Sequence, residues 1–450
     1  MKNIKIAAGS GFWGDWQDAP VNQLRLGQVD YLVLDYLAEL TMSVLAKQRE
    51  KSPEYGYARD FVDLISEVVP DLLKSKTRII ANAGGVNPQA CAGAIRAVLN
   101  ATPGAQNIKV ACVFGDDITN NIEQLLLNGE QLLNLDSNQA ITTLKHKIVS
   151  ANAYLGAKPI VEALATGAQI IVTGRVSDAA LALAPMIHEF AWSDSDYDQL
   201  ALGTIAGHII ECGAQASGGN CSLDWQNISG LEQIGYPIIE IGDAGCFITK
   251  HPHTGGRVSV ETVKEQLIYE IGDPKQYITP DVIADFTSIT LREIEADRVE
   301  ISGAKGRPAT NSYKVSISYE NGFKAENSLI YSWPDARAKA AAAERIFRSR
   351  IQNLVLSEIL IEHIGLNALH GNTITESEQE PAEVMLRVAA RSDNRSVLQK
   401  FSKQLVPLVL SGPPSVSGYT SGGKISEIYS YWPALVSKTA VDPQIKVELF

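Results

Sequence analysis

The chain has 450 residues, 45% of them apolar and 20% charged, with a formal net charge of −12. This is the composition of an ordinary soluble globular protein, long enough for one large domain or two smaller ones. The acid excess argues against nucleic acid or an anionic membrane as partner, and leaves room for a small anionic ligand held by local Arg and backbone N–H groups.

The five cysteines, Cys91, Cys112, Cys212, Cys221 and Cys246, are scattered and form no C-x-x-C pair. A disulfide framework is not expected, and a reducing cytoplasm fits. The first residues, MKNIKIAAGS, contain no signal-peptide core, and no apolar stretch is long enough to span a membrane. A cytoplasmic homo-oligomer is expected.

In chain order, Ile4 to Ala8 predicts a first strand that runs into Gly9-Ser10-Gly11-Phe12-Trp13-Gly14. This matches G-x-G-x-x-G, and Asp35 follows at the end of the next apolar run, Tyr31 to Leu34. Pro20 is the expected helix start, so no helix opens inside the glycines as a dinucleotide site requires. A nicotinamide enzyme is therefore an alternative reading, and a tight glycine turn the plainer one. Asp35 to Gln48 reads as strand end then helix, with Asp35, Tyr36 and Glu39 able to line a site. Phe61 to Leu73 reads as a helix, Arg78 to Ala81 as a strand ending in Asn82-Ala83-Gly84-Gly85, and Asn87-Pro88 as the start of the next helix. Lys109 to Phe114 is a strand ahead of Gly115-Asp116-Asp117. Ala151 to Thr166 reads as helix, stopped by Gly167.

The stretch QIIVTGRVSDAALALAP, residues 169–185, repeats the theme: an apolar β-branched run, a tight turn, then a helix with Ser177 or Asp178 as its cap. Apolar runs of this kind suit parallel strands buried on both faces, and ligands bind beyond their carboxyl ends. Gly203 to Cys212 is helical and leads into Gly213-Ala214-Gln215-Ala216-Ser217-Gly218-Gly219-Asn220, a small-residue loop. Near Tyr236-Pro237 the pattern changes, with strands at Ile238 to Ile241 and Cys246 to Thr249. His251-Pro252-His253-Thr254-Gly255-Gly256-Arg257 then precedes a helix over 260–271 capped by Ser259. Arg298 to Ser302, Ser312 to Tyr319 and Phe323 to Tyr331 read as antiparallel strands, the last two joined by a turn at Asn321-Gly322. Ala336 to Ile364 reads as one or two helices, Val384 to Ala389 as a strand and Arg395 to Val406 as a helix with Val397, Phe401 and Leu405 inward. Ile425 to Trp432 is a last strand. The expected fold is α/β: residues 1–235 form a mainly parallel sheet flanked by helices, and 236–450 an α+β domain packed on it. An open sheet is favoured over a barrel.

The chemistry-bearing residues fall into three groups. Thr254, Gly255, Gly256 and Arg257 offer backbone N–H groups and a guanidinium to a carboxylate or phosphate, with His251 as a proton carrier. His251-x-His253 lacks a third metal ligand at useful spacing, so no metal is expected. Arg175 and Ser177 form a second anion clamp, where Asp178 is either a general base or an N-cap. Glu211 is either an acid/base residue or a helix end, with Gln215 as a loop amide beside it. The strand-end loops carrying Gly9, Ser10, Gly11, Asn82, Gly84 and Gly85 would wrap the ligand. His208, on an apolar helix face, reads as a core residue.

AAGSGFWGD, DYLVLDYLAELTMS, ANAGGVNPQAC, VTGRVSDAALALAP, ECGAQASGGN, HPHTGGRVSVETVKEQLIYEIGDP and LVLSGPPSVSGYT together resemble the acyclic terpene utilisation (AtuA-like) family almost end to end. At His253 the chain departs from the HPGTGG pattern of many relatives, which shifts weight to His251 and Arg257. The resemblance implies a setting of citronellol and geraniol degradation through branched acyl-CoA esters. The expected function is an enzyme, of lyase, hydratase or hydrolase type, acting on a branched carboxylate or acyl-CoA ester. No cofactor is expected beyond CoA as part of the substrate. A non-catalytic ligand-binding subunit of a carboxylase pathway is a further alternative.

Overall fold

The computed structural model describes residues 2–366, 368–373, 379–418 and 423–450. Tyr419-Thr420, the end of the LVLSGPPSVSGYT stretch, lies outside them. Two compact units are present: Met1–Ser318 with Tyr431–Phe450, and Tyr319–Ser430.

The first unit begins with alternating strands and helices: β1 (Asn3–Ser10), α1 (Asp18–Arg25), β2 (Tyr31–Leu34), α2 (Glu39–Lys51), α3 (Arg59–Leu72), β3 (Arg78–Ala81), α4 (Pro88–Ala101), β4 (Val110–Phe114) and α5 (Ile122–Leu127). β5 (Ile148–Ala153), α6 (Lys158–Ala165), β6 (Ile170–Thr173), α7 (Ala180–Phe190) and α8 (Tyr197–Glu211) follow. Next come β7 (Pro237–Gly242), β8 (Gly245–Lys250), α9 (Val260–Leu267), β9 (Tyr277–Ile278), β10 (Val282–Asp285), β11 (Thr290–Glu295), β12 (Arg298–Ser302) and β13 (Lys305–Pro308).

Strands β1, β2, β3, β6 and β4 pair in parallel in that order. β2 and β6 are buried at every residue, which is why they read as unbroken apolar runs. The sheet is open and continues beyond this parallel centre. β7 pairs antiparallel with β1, then β8, β12 and β11 extend that side, each antiparallel to the one before. The change of pattern at Tyr236-Pro237 therefore marks a switch from parallel to antiparallel pairing inside one sheet. The compact units accordingly divide elsewhere than the expected 235/236. The region expected to be helical from Ala151 is strand to Ala153, and its helix starts only at Lys158.

A 21-residue strand, β14 (Ser312–Ser332), carries the chain from the first unit into the second. The expected turn at Asn321-Gly322 is absent: Gly322, at φ +82°, bends the strand without reversing it. The second unit holds α10 (Ala336–Ile351), β15 (Glu358–Ile364), β16 (Glu383–Ser392), α11 (Arg395–Ser402), α12 (Leu408–Ser411) and β17 (Val416–Ser417). β15 replaces the second half of the expected helix, because Ile359, Ile361 and their neighbours pair with β16. A core of Leu329, Phe347, Leu386, Val388, Leu398 and Phe401 fills this unit. The chain re-enters the first unit at Tyr431 within β18 (Ser426–Ser437). After α13 (Lys438–Val441), β19 (Lys446–Leu449) pairs antiparallel with β4 at the edge of the large sheet.

Among the described residues no helix is long and apolar enough to cross a membrane.

Candidate active site

The carboxyl ends of the parallel strands deliver a set of polar residues to one place. β2 leads to Asp35, β3 to Asn82, β4 to Asp116 and β6 to Arg175. The last turn of α8 adds His208 and Glu211, which are three residues apart and so share a helix face.

Arg175 is 2% exposed. Its backbone N–H donates to Asp116 Oδ2 at 2.9 Å, and Asn152 Nδ2 donates to the same oxygen at 2.8 Å. A Cβ at position 174 would stand 2.1 Å from Asp116 Oδ1, so glycine there lets the carboxylate reach the Arg175 amide. Burial pushes the Asp116 pKa up to about 7 against these hydrogen bonds. The guanidinium lies 4.1 Å from the centre of the Tyr154 ring. Its Nη1 donates to the Leu37 carbonyl at 3.0 Å and to Asp178 Oδ1 at 2.6 Å, while Nε has no partner.

His208 Nδ1 stands 2.8 Å from Glu211 Oε1, and Tyr277 and Phe286 wall the ring at 5.5 Å each. His208 Nε2 and Glu211 Oε2 are buried without partners. Burial raises the Glu211 pKa against the pull of His208. Burial alone would lower that of His208, but the Glu211 carboxylate outweighs it and the net shift is upward. Asp35 Oδ1 accepts from Asn82 Nδ2 at 2.6 Å and from the Leu37 amide at 3.1 Å. Burial, then the nearby Asp178 charge, hold Asp35 well above the usual carboxylate range. Glu39 behaves oppositely: burial would raise it, but the Tyr154 hydroxyl at 2.7 Å, Arg175 and Lys314 bring it below its ordinary value.

Asp35, Glu39, Tyr154, Arg175, His208 and Glu211 border one cavity of about 630 Å³, and Asp116 stands behind Arg175. Of the sequence-predicted residues, Gly11, Asp35, Glu39, Arg175, Ser177, Asp178, Glu211 and Gln215 line it. Ser10 and Asn82 stand behind Asp35: Ser10 Oγ donates to the Asp35 carbonyl at 3.1 Å. Ser177 and Asp178 do not cap α7 with their side chains; its N-cap is Ala179, and the Asp178 carboxylate is turned to Arg175 instead.

The remaining candidates have other employment. Gly9 lies within β1. The Gly84 and Gly85 amides donate to the Thr173 and Asn82 carbonyls. The Gly11 amide donates to Asp15 Oδ2 at 2.8 Å, and α1 opens only at Asp18, so this glycine turn presents no helix N-terminus to a pyrophosphate. His251 is buried, with Nε2 3.0 Å from the Gln23 carbonyl, and burial lowers its pKa. With Thr254 it borders a separate cavity of about 500 Å³ beside Trp16 and Tyr236. The Gly255, Gly256 and Arg257 amides all donate to carbonyls, those of Gln233, Ser229 and Ser217. Gly255 is required for packing, since a Cβ there would lie 1.7 Å from the Gly230 oxygen. Arg257, 37% exposed at its side chain, faces Asp224 at 3.7 Å. The anion loop expected at 254–257 is thus a structural crossing of backbone segments. Among the described residues no group of three or more His, Cys, Asp or Glu side chains is placed to hold a metal ion.

Sequence reasoning placed His208 in the core and left out Tyr154, Asp116 and Lys314. The signal for His208 was its spacing of three from Glu211 on one helix. Tyr154 and Lys314 are joined by tertiary contact alone, the Tyr154 amide donating to the Lys314 carbonyl at 2.9 Å.

The model of the acyclic terpene utilisation family protein AtuA matches residues 4–447. No curated protein and no solved structure matches the chain.

Proposed function

The chain belongs to the acyclic terpene utilisation family AtuA, and from that premise we propose that it is an enzyme moving protons on a branched carboxylate or acyl-CoA ester, by lyase or hydratase chemistry. The observation that supports this reading is the buried His208–Glu211 pair, which lines the same cavity as Arg175. A carboxylate whose pKa is raised toward neutrality is a better base and a better acid at working pH than an ordinary one. Glu211 therefore takes a proton from carbon next to the substrate carbonyl, while His208 fixes its orientation. The carbonyl oxygen, which gains negative charge in that step, is stabilised by the charge of the Arg175 guanidinium beside it, fixed in a site largely shielded from water. Lys314, beside Glu39 at 3.5 Å, adds a second cation at the rim for an anionic ligand. CoA enters this reading only as part of the substrate, and the apolar walls Tyr154, Tyr277 and Leu37 suit a branched acyl chain.

Heating the protein with a panel of branched acyl-CoA esters and short dicarboxylates tests the ligand class. A rise in Tm with a thioester is expected. With that ester, Glu211→Gln should keep the Tm rise and lose turnover by roughly 10²–10⁴-fold, the range for a general base. A panel with no effect on Tm, or a fully active Glu211→Gln, overturns the reading.

A further inference from the structure

The cavity holds more acids than cations. Asp35, Glu39, Asp178, Glu211 and Glu270 border it, against Arg175, Lys314 and His208. The cations are already committed: Arg175 to Asp178, Lys314 to Glu39 and His208 to Glu211. Among the described residues Asp35 has no cation of its own at hydrogen-bond distance. Together with Asp178 and Glu211 it also borders a tight void walled by Val33, Leu181, Ala182 and Ile210. Carboxyl groups that share an apolar void cannot all ionise, because each new charge meets both the missing water and its neighbours.

The distribution of cationic partners selects which one stays neutral. Asp178 faces a guanidinium and Glu211 an imidazole, so both have reason to be anions. Asp35 meets only neutral donors, the Leu37 amide and Asn82 Nδ2, and both land on Oδ1. In the neutral acid the oxygen that accepts these two N–H bonds is the carbonyl oxygen, which leaves Oδ2 for the proton. Asn82 is itself fixed by the Tyr36 amide, which donates to its Oδ1 at 2.6 Å and so points its NH2 at Asp35.

We propose that Asp35 holds the transferable proton of this cavity on Oδ2, with Asn82 as the positioning residue that decides which oxygen carries it. The inference rests on the acid–base reading of the cavity and gives it a donor to match its acceptor. In a dehydration, the C–H bond beside the carbonyl breaks and its proton goes to Glu211. The electron pair forms the new double bond, and the C–O bond to the departing hydroxyl breaks. Asp35 supplies the proton with which that hydroxyl leaves as water. Glu211 then returns a proton to Asp35 through the void they share, and hydration runs the same steps backward. The neutral Asp35 also spares an anionic substrate one like charge.

Infrared difference spectra of the full chain, wild type against Asp35→Asn at neutral pH, test this without any ligand. The C=O stretch of a protonated carboxyl should be present in wild type and missing in Asp35→Asn; Asp116 cancels in the difference. In Asn82→Ala the band should move to higher frequency, because the C=O loses a donor. If the carboxyl region of Asp35→Asn is unchanged, or the band vanishes in Glu211→Gln instead, the assignment fails. Should Asp35→Asn not fold, the Asn82→Ala shift decides alone. Stability gives a second readout. A carboxyl whose folded pKa is raised stabilises most at low pH and loses that contribution as pH rises toward the folded value. The Tm of wild type relative to Asp35→Asn should therefore fall as pH rises above about 4, the ordinary carboxyl value. The opposite trend would make Asp35 an ionised partner of Arg175. A failed ester panel would sink the proposed reaction and leave the infrared band untouched, so the two failures are distinguishable.

Discussion

Arg175, itself buried, divides its guanidinium among the part-exposed Asp178, the Leu37 carbonyl and the face of Tyr154. Removing it leaves Asp178 without its cation and opens a gap against the ring. Arg175→Ala should destabilise the protein by about 3–5 kcal/mol, the cost of breaking a buried pair, measured by urea unfolding. Arg257 meets only Asp224 across a half-exposed gap. Arg257→Ala should change stability by about 1 kcal/mol or less, and should leave the Tm response to acyl-CoA esters as in wild type. A lost response would return the 254–257 loop to the site. Both arginines sit in glycine-bounded polar turns ahead of a helix, and the sequence made them look alike. What separates them is whether the neighbouring amides are already bonded to carbonyls brought in from Gln233, Ser229 and Ser217, which no local pattern reveals.

Elements were legible where local chemistry and tertiary setting agree. Helix α9 opens at Ser259, whose Oγ accepts from the Thr262 amide at 3.3 Å while Thr262 Oγ1 accepts from the Ser259 amide at 3.0 Å. Ser259→Ala should lower stability by about 1 kcal/mol, read from the denaturation midpoint, and a neutral result would mean that packing alone sets this helix start. β2 and β6 were equally plain, because strands covered on both faces must be apolar throughout. Misreadings occurred where the two levels conflict. Ala151-Asn152-Ala153 has no strand preference of its own, but Asn152 is needed beneath Asp116, and pairing makes it strand. Asn321-Gly322 carries the chemistry of a tight turn. The run from Phe323 to Ser332, however, pairs with Ser392 back to Glu383, and that ladder overrides the local preference. Glu358 to Ile364 followed an Ala-rich helix in sequence, and only its pairing with β16 shows it to be an edge strand.

The two units have separate cores. In the second, Phe347 is fully buried and packs edge-on to Phe401 at 5.3 Å. Phe347→Ala should cost that unit about 3–5 kcal/mol. In calorimetry the transition belonging to residues 319–430 should drop while the one belonging to the large sheet stays near its original temperature. Equal movement of a single transition would show that the units unfold as one. The large sheet raises a different matter, one of timing. Its edge is completed by β19, where Lys446 pairs with Phe114. A ribosome adding roughly 5–20 residues per second makes β4 tens of seconds before its partner exists. Throughout that interval the β4 edge offers unpaired amides and carbonyls to any other nascent strand. Shielding of the β4 edge during synthesis therefore matters most before Lys446–Leu449 are made to cover it, after which β19 is the outer strand of the sheet.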